Sequence, residues 1–477
     1  MATSAGTFTG RTEQLRVLAR ELKEARSTGR GRFVLLRGRR RVGKSRLAEE
    51  FLLRTKARHV FFAATRGRAP ERELAAFTSL LAASDLPAAP LVRAGARFET
   101  WDAAFALIAE SSERRSPSVV VIDEFPHLID ADSSVEGAFQ TAWDRYLQRA
   151  PVLLVVIGSD LSMMAALTEY GRPLYDRPTR LIHLPPLTPA EIAGMLSLDP
   201  AGALDAYMAI GGFPLIAQSW GRAKDLRAFL RRELADPTAP IIVSGERMVG
   251  AEFHPDAQPR TVMSAIGAGE RTFTAIGNAS AVPRQSLERA LGLLVTKRVV
   301  ERTLPLSSRP SREARYTVAD PYLRFWLRFI EPGLNEIERG RSDLVVERVV
   351  SAWPEYRGRA IEPLVREALS RLLPSARFGD AVHVGAYWTR SGDVEVDLVG
   401  SPRPSRPTRV SFVGSIKWRE RAPFGSRDLG DLAGLRSKVP GADADTLLVG
   451  VSRSGFQSGG LAAQLGPEDL LAAWNTG

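Results

Sequence analysis

No cysteine occurs among the 477 residues, so disulfides, thiolate metal sites and cysteine nucleophiles are all excluded. Long apolar runs are missing as well. The longest, such as "PVLLVVIG" (Pro151–Gly158), falls far short of the ~20 residues that span a bilayer. No amphipathic membrane-binding stretch stands out either. The histidines, His59, His127, His183, His254 and His383, are dispersed without metal-ligand spacing. The opening "MATSAGTFTG" has neither the charged nor the apolar region of a signal peptide. The expectation is a cytoplasmic protein with no membrane partner. Lysine is scarce too: nearly all of the 65 basic residues are arginine, whose planar fork suits phosphate.

What is present is the composition of a soluble globular chain, 44% hydrophobic and 25% charged. Its length exceeds one ordinary core, so two to four domains are expected. The formal charge of +11 is compatible with a nucleic-acid partner. An arginine-rich codon bias gives the same excess, so charge alone does not choose between them.

The strongest signal is "RFVLLRGRRRVGKSRLAEEFLL". Phe33–Leu36 read as a buried strand, Gly38–Ser45 match G-x-x-x-x-G-K-[ST], and Arg46–Leu53 carry helical apolar spacing. That is the strand–loop–helix setting the motif needs. Gly38 and Gly43 let backbone N–H groups close around a β-phosphate at a helix N-terminus. Lys44 reaches the β- and γ-phosphates, and Ser45 ligates Mg²⁺. The candidate nucleotide-binding residues are Gly38, Arg39, Arg40, Arg41, Val42, Gly43, Lys44, Ser45 and Arg46.

"SVVVIDEF" supplies the partner. Its continuous apolar run is that of a doubly buried parallel strand. Asp123 at its end can hold the Mg²⁺, and Glu124 is placed to polarise an attacking water. Further strands read at "HVFFAA", "PVLLVVIG" and "TRLIHLPPL", with helices between them, so an open parallel α/β sheet is expected. Ser159 ends one strand as a candidate γ-phosphate sensor. Arg172 and Arg177, in "YGRPLYDRPTR", are candidates to stabilise transferred charge, in cis or from a neighbouring subunit; simple surface arginines are the plain alternative.

"FTGRTEQLRVL", "GRRRVGKS", "VIDEF", "IGSDLSMM", "PLYDR" and "GGFP" fall in an order that resembles archaeal-type AAA+/STAND P-loop ATPases. The resemblance implies that Gly10 and Arg11 lie near the adenine, with ATP and Mg²⁺ as cofactors. It also implies that Gly211–Pro214 belong to a helical lid closing over the nucleotide.

Arg260–Leu306 have a different rhythm. One helix ends near Gly267, a second runs from about Thr272 to Asn278, and Pro283 opens a third with Leu287, Leu291 and Leu294 on one side. "RVVERTLPL" reads as the strand pair of a wing, giving a winged helix-turn-helix pattern. Arg284, Gln285, Arg289 and Lys297 on the third helix either contact DNA or form an ordinary solvated face of an inter-domain coupler. "YTVADPYLRFWLRFI" reads as aromatic core rather than a base-stacking platform.

From about Arg357 the pattern is a helix, "GRAIEPLVREALSRLL", then strands at "VGAYWTR", "VEVDLVG", "VSFVGSIKW" and "DTLLVGVSRSGF", with "SPRPSRPTR" as a turn and "GPEDLLAAW" as a closing helix. This arrangement resembles the PD-(D/E)XK restriction-endonuclease-like fold. The resemblance makes Asp397 the aspartate, Lys417 the lysine and Glu362 the helix glutamate of a nuclease-like site. The second acid belongs at 415, and this chain has Ser415. Glu362, Glu395 or the carbonyl of Ile416 could compensate; without compensation the site keeps a basic groove and loses hydrolysis, and the plain alternative is a Lys417 that merely pairs with Asp397.

The expected architecture is thus α/β: a P-loop NTPase parallel sheet (1–185), a helical lid and linker (186–257), a winged helix-turn-helix (258–335) and a restriction-endonuclease-like domain (336–477). The whole resembles prokaryotic archaeal-type AAA+ ATPases carrying a C-terminal domain of unknown function. The leading reading is an Mg²⁺-dependent ATPase acting on DNA. The alternative is a slow STAND-type switch that recruits a protein partner or an identical subunit.

Overall fold

The computed structural model describes residues 8–221, 223–254, 257–404 and 407–475. The first seven residues of the stretch read for a signal peptide, and Ser405 and Arg406 of the expected turn, lie outside them. The chain forms two compact units, 1–186 and 187–477.

The first unit is built on five parallel strands: β1 (Arg32–Arg37), β2 (His59–Ala63), β3 (Ser118–Asp123), β4 (Val152–Gly158) and β5 (Arg180–His183). Their order across the sheet is β2-β3-β4-β1-β5. Every residue of β3 and β4 is buried, as expected of central parallel strands covered on both faces. An aromatic cluster packs on the sheet. Phe62, Phe77, Trp101, Phe105, Phe125 and Phe139 lie within it, with the Phe125 and Phe139 rings 4.8 Å apart. Phe125 directly follows Glu124, so core packing anchors the chain just beyond β3.

The second unit opens with five helices, Pro189–Leu196, Pro200–Ile210, Pro214–Trp220, Leu226–Glu233 and Pro240–Glu252. Three more follow, Gln258–Ala268, Phe273–Ser280 and Arg284–Thr296, and then an antiparallel pair, β6 (Val300–Thr303) and β7 (Arg315–Val318). The partner of β6 is therefore not within "RVVERTLPL". Past Pro305 the chain is drawn elsewhere: Leu306 N–H donates to the carbonyl of Ala386 at 2.8 Å, and its side chain joins the core with Val396 and Val399.

The aromatic run is core. Tyr322, Phe325, Trp326 and Phe329 are buried, and Tyr322 and Trp326 donate to the carbonyls of Ile241 and Ile242 at 2.8 and 2.9 Å. On the other side Phe329 meets Tyr356 of a 31-residue helix, Ser342–Leu372, which is about 46 Å long at 1.5 Å per residue. Pro354 and Pro363 lie inside that helix.

The chain ends in a mixed sheet of order β12-β11-β10-β9-β8: β8 (His383–Trp388), β9 (Glu395–Ser401), β10 (Phe412–Lys417), β11 (Leu447–Ser452) and β12 (Ala463–Leu465). The first three pair antiparallel, and β10-β11-β12 run parallel, with the helix Ser426–Arg436 crossing from β10 to β11.

Candidate active site

In the first unit the chemistry gathers where β1, β3 and β4 end. The loop after β1 curls tightly: a Cβ on Gly38 would stand 2.5 Å from the carbonyl oxygen of Leu184, and Gly43 has φ 91° before the helix Lys44–Thr55 begins. Only glycine meets both demands cheaply. Val42 is fully buried, and Arg41 takes φ 66°. Lys44 is buried, and its Nζ donates to the carbonyls of Gly38 at 2.9 Å and Arg39 at 3.1 Å. Burial pulls its ammonium pKa below the ordinary value, opposed by the nearby carboxylates of Glu124 and Asp123.

Asp123 is buried at the end of β3. Burial pushes its carboxyl pKa up, and hydrogen bonds from the Ser45 side chain and the Glu124 backbone work against that. The Glu124 N–H donates to its Oδ1 at 2.9 Å. Glu124 itself holds a left-handed backbone, φ 51° and ψ 44°, uncommon for a residue with a side chain. Because β4 lies between β1 and β3, Ser159 just beyond β4 reaches it: Ser159 Oγ donates to Glu124 Oε2 at 2.8 Å. Arg11 is buried, and its guanidinium donates to the carbonyls of Val42 at 3.2 Å and Pro185 at 2.7 Å. It ties the loop to the chain leaving β5.

Not all sequence candidates converge here. Arg40 and Arg46 are exposed, and Arg46 pairs with Glu49 and Glu50 along its helix. Arg172 pairs with Glu136 at 2.5 Å, and Arg177 grips Asp144 at 2.7 Å. Both acids lie on the helix Val135–Arg145, and the sequence reading identified neither.

The second unit brings Glu362, Glu395 and Asp397 to a cavity of 720 Å³. The β9–β10 register pairs Gly414 with Leu398, which sets Ser415 beside Asp397. Ser415 Oγ and the Ile416 N–H both donate to Asp397 Oδ2, at 3.1 and 2.8 Å. The residue where an acid was expected thus acts as a donor to the remaining one. Glu395, offered as a compensating ligand, is gripped by Arg315 at 2.5 and 3.1 Å. Those hydrogen bonds hold its carboxyl pKa below the ordinary value. Glu362 lies 3.5 Å from Arg366, and burial pushes its pKa up. Among the described residues, no group of three or more His, Asp or Glu side chains is arranged to hold a metal. Lys417 forms its ion pair with Asp428, at 3.8 Å, and its charge also works against the burial that raises the Asp397 pKa. Asp428 also takes both arms of Arg419, at 2.6 and 3.2 Å.

Comparison with known proteins follows the same division. Residues 8–199 match the family model described as an ATPase domain predominantly from Archaea. Residues 326–427 match one described as archaeal and bacterial proteins of unknown function. An uncharacterized protein of Methanocaldococcus jannaschii is 25% identical over 429 residues, 87% of this chain and 88% of that one. Among solved structures, a Walker-type ATPase of Pyrococcus abyssi aligns with a TM-score of 0.49 and 19% identity, covering 67% of this chain and 96% of the other. The ORC2 protein of Aeropyrum pernix, solved as ADPNP-ADP complexes, gives 0.45 and 14%, covering 73% and 98%. The N-terminal part is thus an archaeal-type ATPase domain on a parallel sheet. No helix among the described residues is long and apolar enough to cross a membrane.

Proposed function

We propose that the protein hydrolyses ATP with Mg²⁺, and that its nucleotide state sets how the basic three-helix module and the C-terminal sheet domain engage DNA. The observation that carries the reading is the convergence of Lys44, Ser45, Asp123, Glu124 and Ser159 at one edge of the parallel sheet. The residues fit the ligand. Gly38 and Gly43 make a cradle that a Cβ would disturb, with a cation on its floor hydrogen-bonded to the loop carbonyls of Gly38 and Arg39. The Ser45 hydroxyl and Asp123 carboxylate are hard oxygen donors of the kind Mg²⁺ takes.

ATP bound with Mg²⁺ supplies the phosphoryl group and the neutralising charge. Lys44 would exchange its loop carbonyls for phosphate oxygens, and Ser45 and Asp123 would hold the metal. Glu124 orients the attacking water and receives its proton on the carboxylate, which Ser159 holds in place. Arg172 and Arg177 contribute only on leaving Glu136 and Asp144.

For residues 258–335 the winged helix-turn-helix reading is supported by three helices followed by the β6–β7 pair, with Thr272 bridged to Arg315. Arg284 and Arg289 are exposed on the third helix, while Leu287, Leu291 and Leu294 are buried. For the restriction-endonuclease-like reading of the last sheet, the donation from Ser415 to Asp397 favours nucleic-acid contact without cleavage.

The test is ATP turnover with Mg²⁺, with and without single- and double-stranded DNA, the DNA being run on a gel afterwards. Glu124→Gln should keep nucleotide binding and lose turnover; undiminished turnover would sink the assignment. DNA should raise the rate, and Arg284→Ala with Arg289→Ala should remove that rise. Indifference to DNA would leave the slow nucleotide switch as the better account. Metal-dependent nicking would overturn the binding-only role of the last sheet.

A further inference from the structure

Among the described residues, one buried charge in the second unit makes no hydrogen bond. Arg357 lies on the helix Ser342–Leu372 with its side chain only 7% exposed. Among the described residues its Nε is buried with no acceptor. Its carboxylate neighbours, Asp205 and Glu420, both stand at 3.7 Å, too far for a hydrogen bond. Asp205 is committed elsewhere: it accepts from Trp418 Nε1 at 2.8 Å and from Arg453 at 3.0 and 3.1 Å. Glu420 is 63% exposed and spends much of its charge in water. A guanidinium has five donors, and burying them unused is costly.

The same guanidinium lines a cavity of 470 Å³ in the second unit, within the size range of small-molecule sites. Its lining combines apolar surface from Val349 and Trp353 with the cations Arg453 and Lys224 and four carboxylates, of which Asp199 and Asp225 accept from the N–H groups of Gly202 and Ala228. Lys224 is exposed, with no ion pair among the described residues. The polar end is thus built around a buried arginine with unused donors, and the remainder can cover an apolar body.

We propose that this cavity binds a small organic oxyanion, a phosphate or carboxylate group on a compact and partly apolar frame, through Arg357. The planar fork gives two parallel donors to such a group, and Lys224 adds a second cation. Asp205 already holds Arg453, and both carboxylates paired with Arg357 stand beyond hydrogen-bond distance, which leaves the hydrogen-bond donors of Arg357 to the oxyanion. The site is separate from the phosphate loop and does not depend on its assignment.

Calorimetric titration of the full-length Lys44→Ala protein, in which the phosphate-loop cation is gone, tests this with inorganic phosphate, citrate and AMP as probes. At least one should bind at one site per chain. Binding of phosphate alone would point to the free ion, of AMP to a nucleoside monophosphate, and of citrate to a carboxylate. Adding Arg357→Met should weaken that binding by about tenfold or more, the loss expected for a charged hydrogen bond. Lys224→Ala, at an exposed position, should weaken it several-fold with the fold intact, and decides the matter if Arg357→Met does not fold. Failure of all three probes, or unchanged affinity in the variants that fold, would overturn the proposal and leave Arg357 as a loose internal ion pair.

Discussion

Replacing Ser159 by alanine removes one hydroxyl, and with it the 2.8 Å hydrogen bond to Glu124 Oε2. Glu124 holds a left-handed backbone, so its carboxylate is aimed by side-chain contacts as much as by the strand that carries it. A hydrogen bond to a charged acceptor contributes about 1.5–3 kcal/mol, and about 1.4 kcal/mol is a factor of ten in rate. If that bond serves to aim the Glu124 carboxylate at the attacking water, kcat should fall by about 10- to 100-fold with KM unchanged. Steady-state phosphate release across a range of ATP concentrations, at saturating Mg²⁺, separates the two constants. Ser159→Thr keeps the hydroxyl and should retain most of the rate. A raised KM with normal kcat would refute the reasoning, since Ser159 would then act on the nucleotide directly, as a γ-phosphate sensor would in ground-state binding. No change in either constant would refute both roles.

Two further outcomes are expected. Asp205→Ala leaves the Trp418 N–H, Arg453 and Arg357 without their shared carboxylate. It should destabilise the second unit by about 3–5 kcal/mol, the range for breaking a buried pair; Asp205→Asn, which keeps an acceptor, should cost less, and equal urea midpoints for all three proteins would refute this. His383 has its pKa lowered by burial, so the unfolded chain takes up the proton first. Its share of stability is intact above the unfolded histidine pKa of about 6.5 and is lost as pH falls through that value toward the folded pKa. His383→Gln should flatten the fall in Tm over that window, and superimposable profiles would contradict it.

The geometry of the loop after β1 is legible because its requirements are local. Gly38 and Gly43 are demanded by the path of one loop, and the unbroken apolar run of β3 announces a strand buried on both faces. Ser159 could be placed at a strand end for the same reason, though its bond to Glu124 follows from the strand order and not from spacing. Partners distant in the chain were out of reach. Arg11 meets Pro185 174 positions away, and Trp418 meets Asp205 across 213. Nothing near Trp418 in the sequence says what its N–H finds. The partner of β6 lies beyond "RVVERTLPL" because Leu306 is drawn into the core of the last sheet and the chain returns to pair only at Arg315. The sequence reading starts the last helix at about Arg357, whereas it begins at Ser342; an internal proline costs a helix a hydrogen bond, and packing of Phe325 and Phe329 against Trp353 and Tyr356 carries the helix through Pro354.

That helix also fixes a length. Arg357 lines the 470 Å³ cavity and Glu362 the 720 Å³ one. At 3.6 residues per turn, the step between them turns about 140° and rises about 7.5 Å. One residue inserted or removed there would swing everything beyond it by about 100°, carrying Glu362 away from β9 while Arg357 stayed in place. The stretch between them can change its letters but not their number, and any working relative should have the same count.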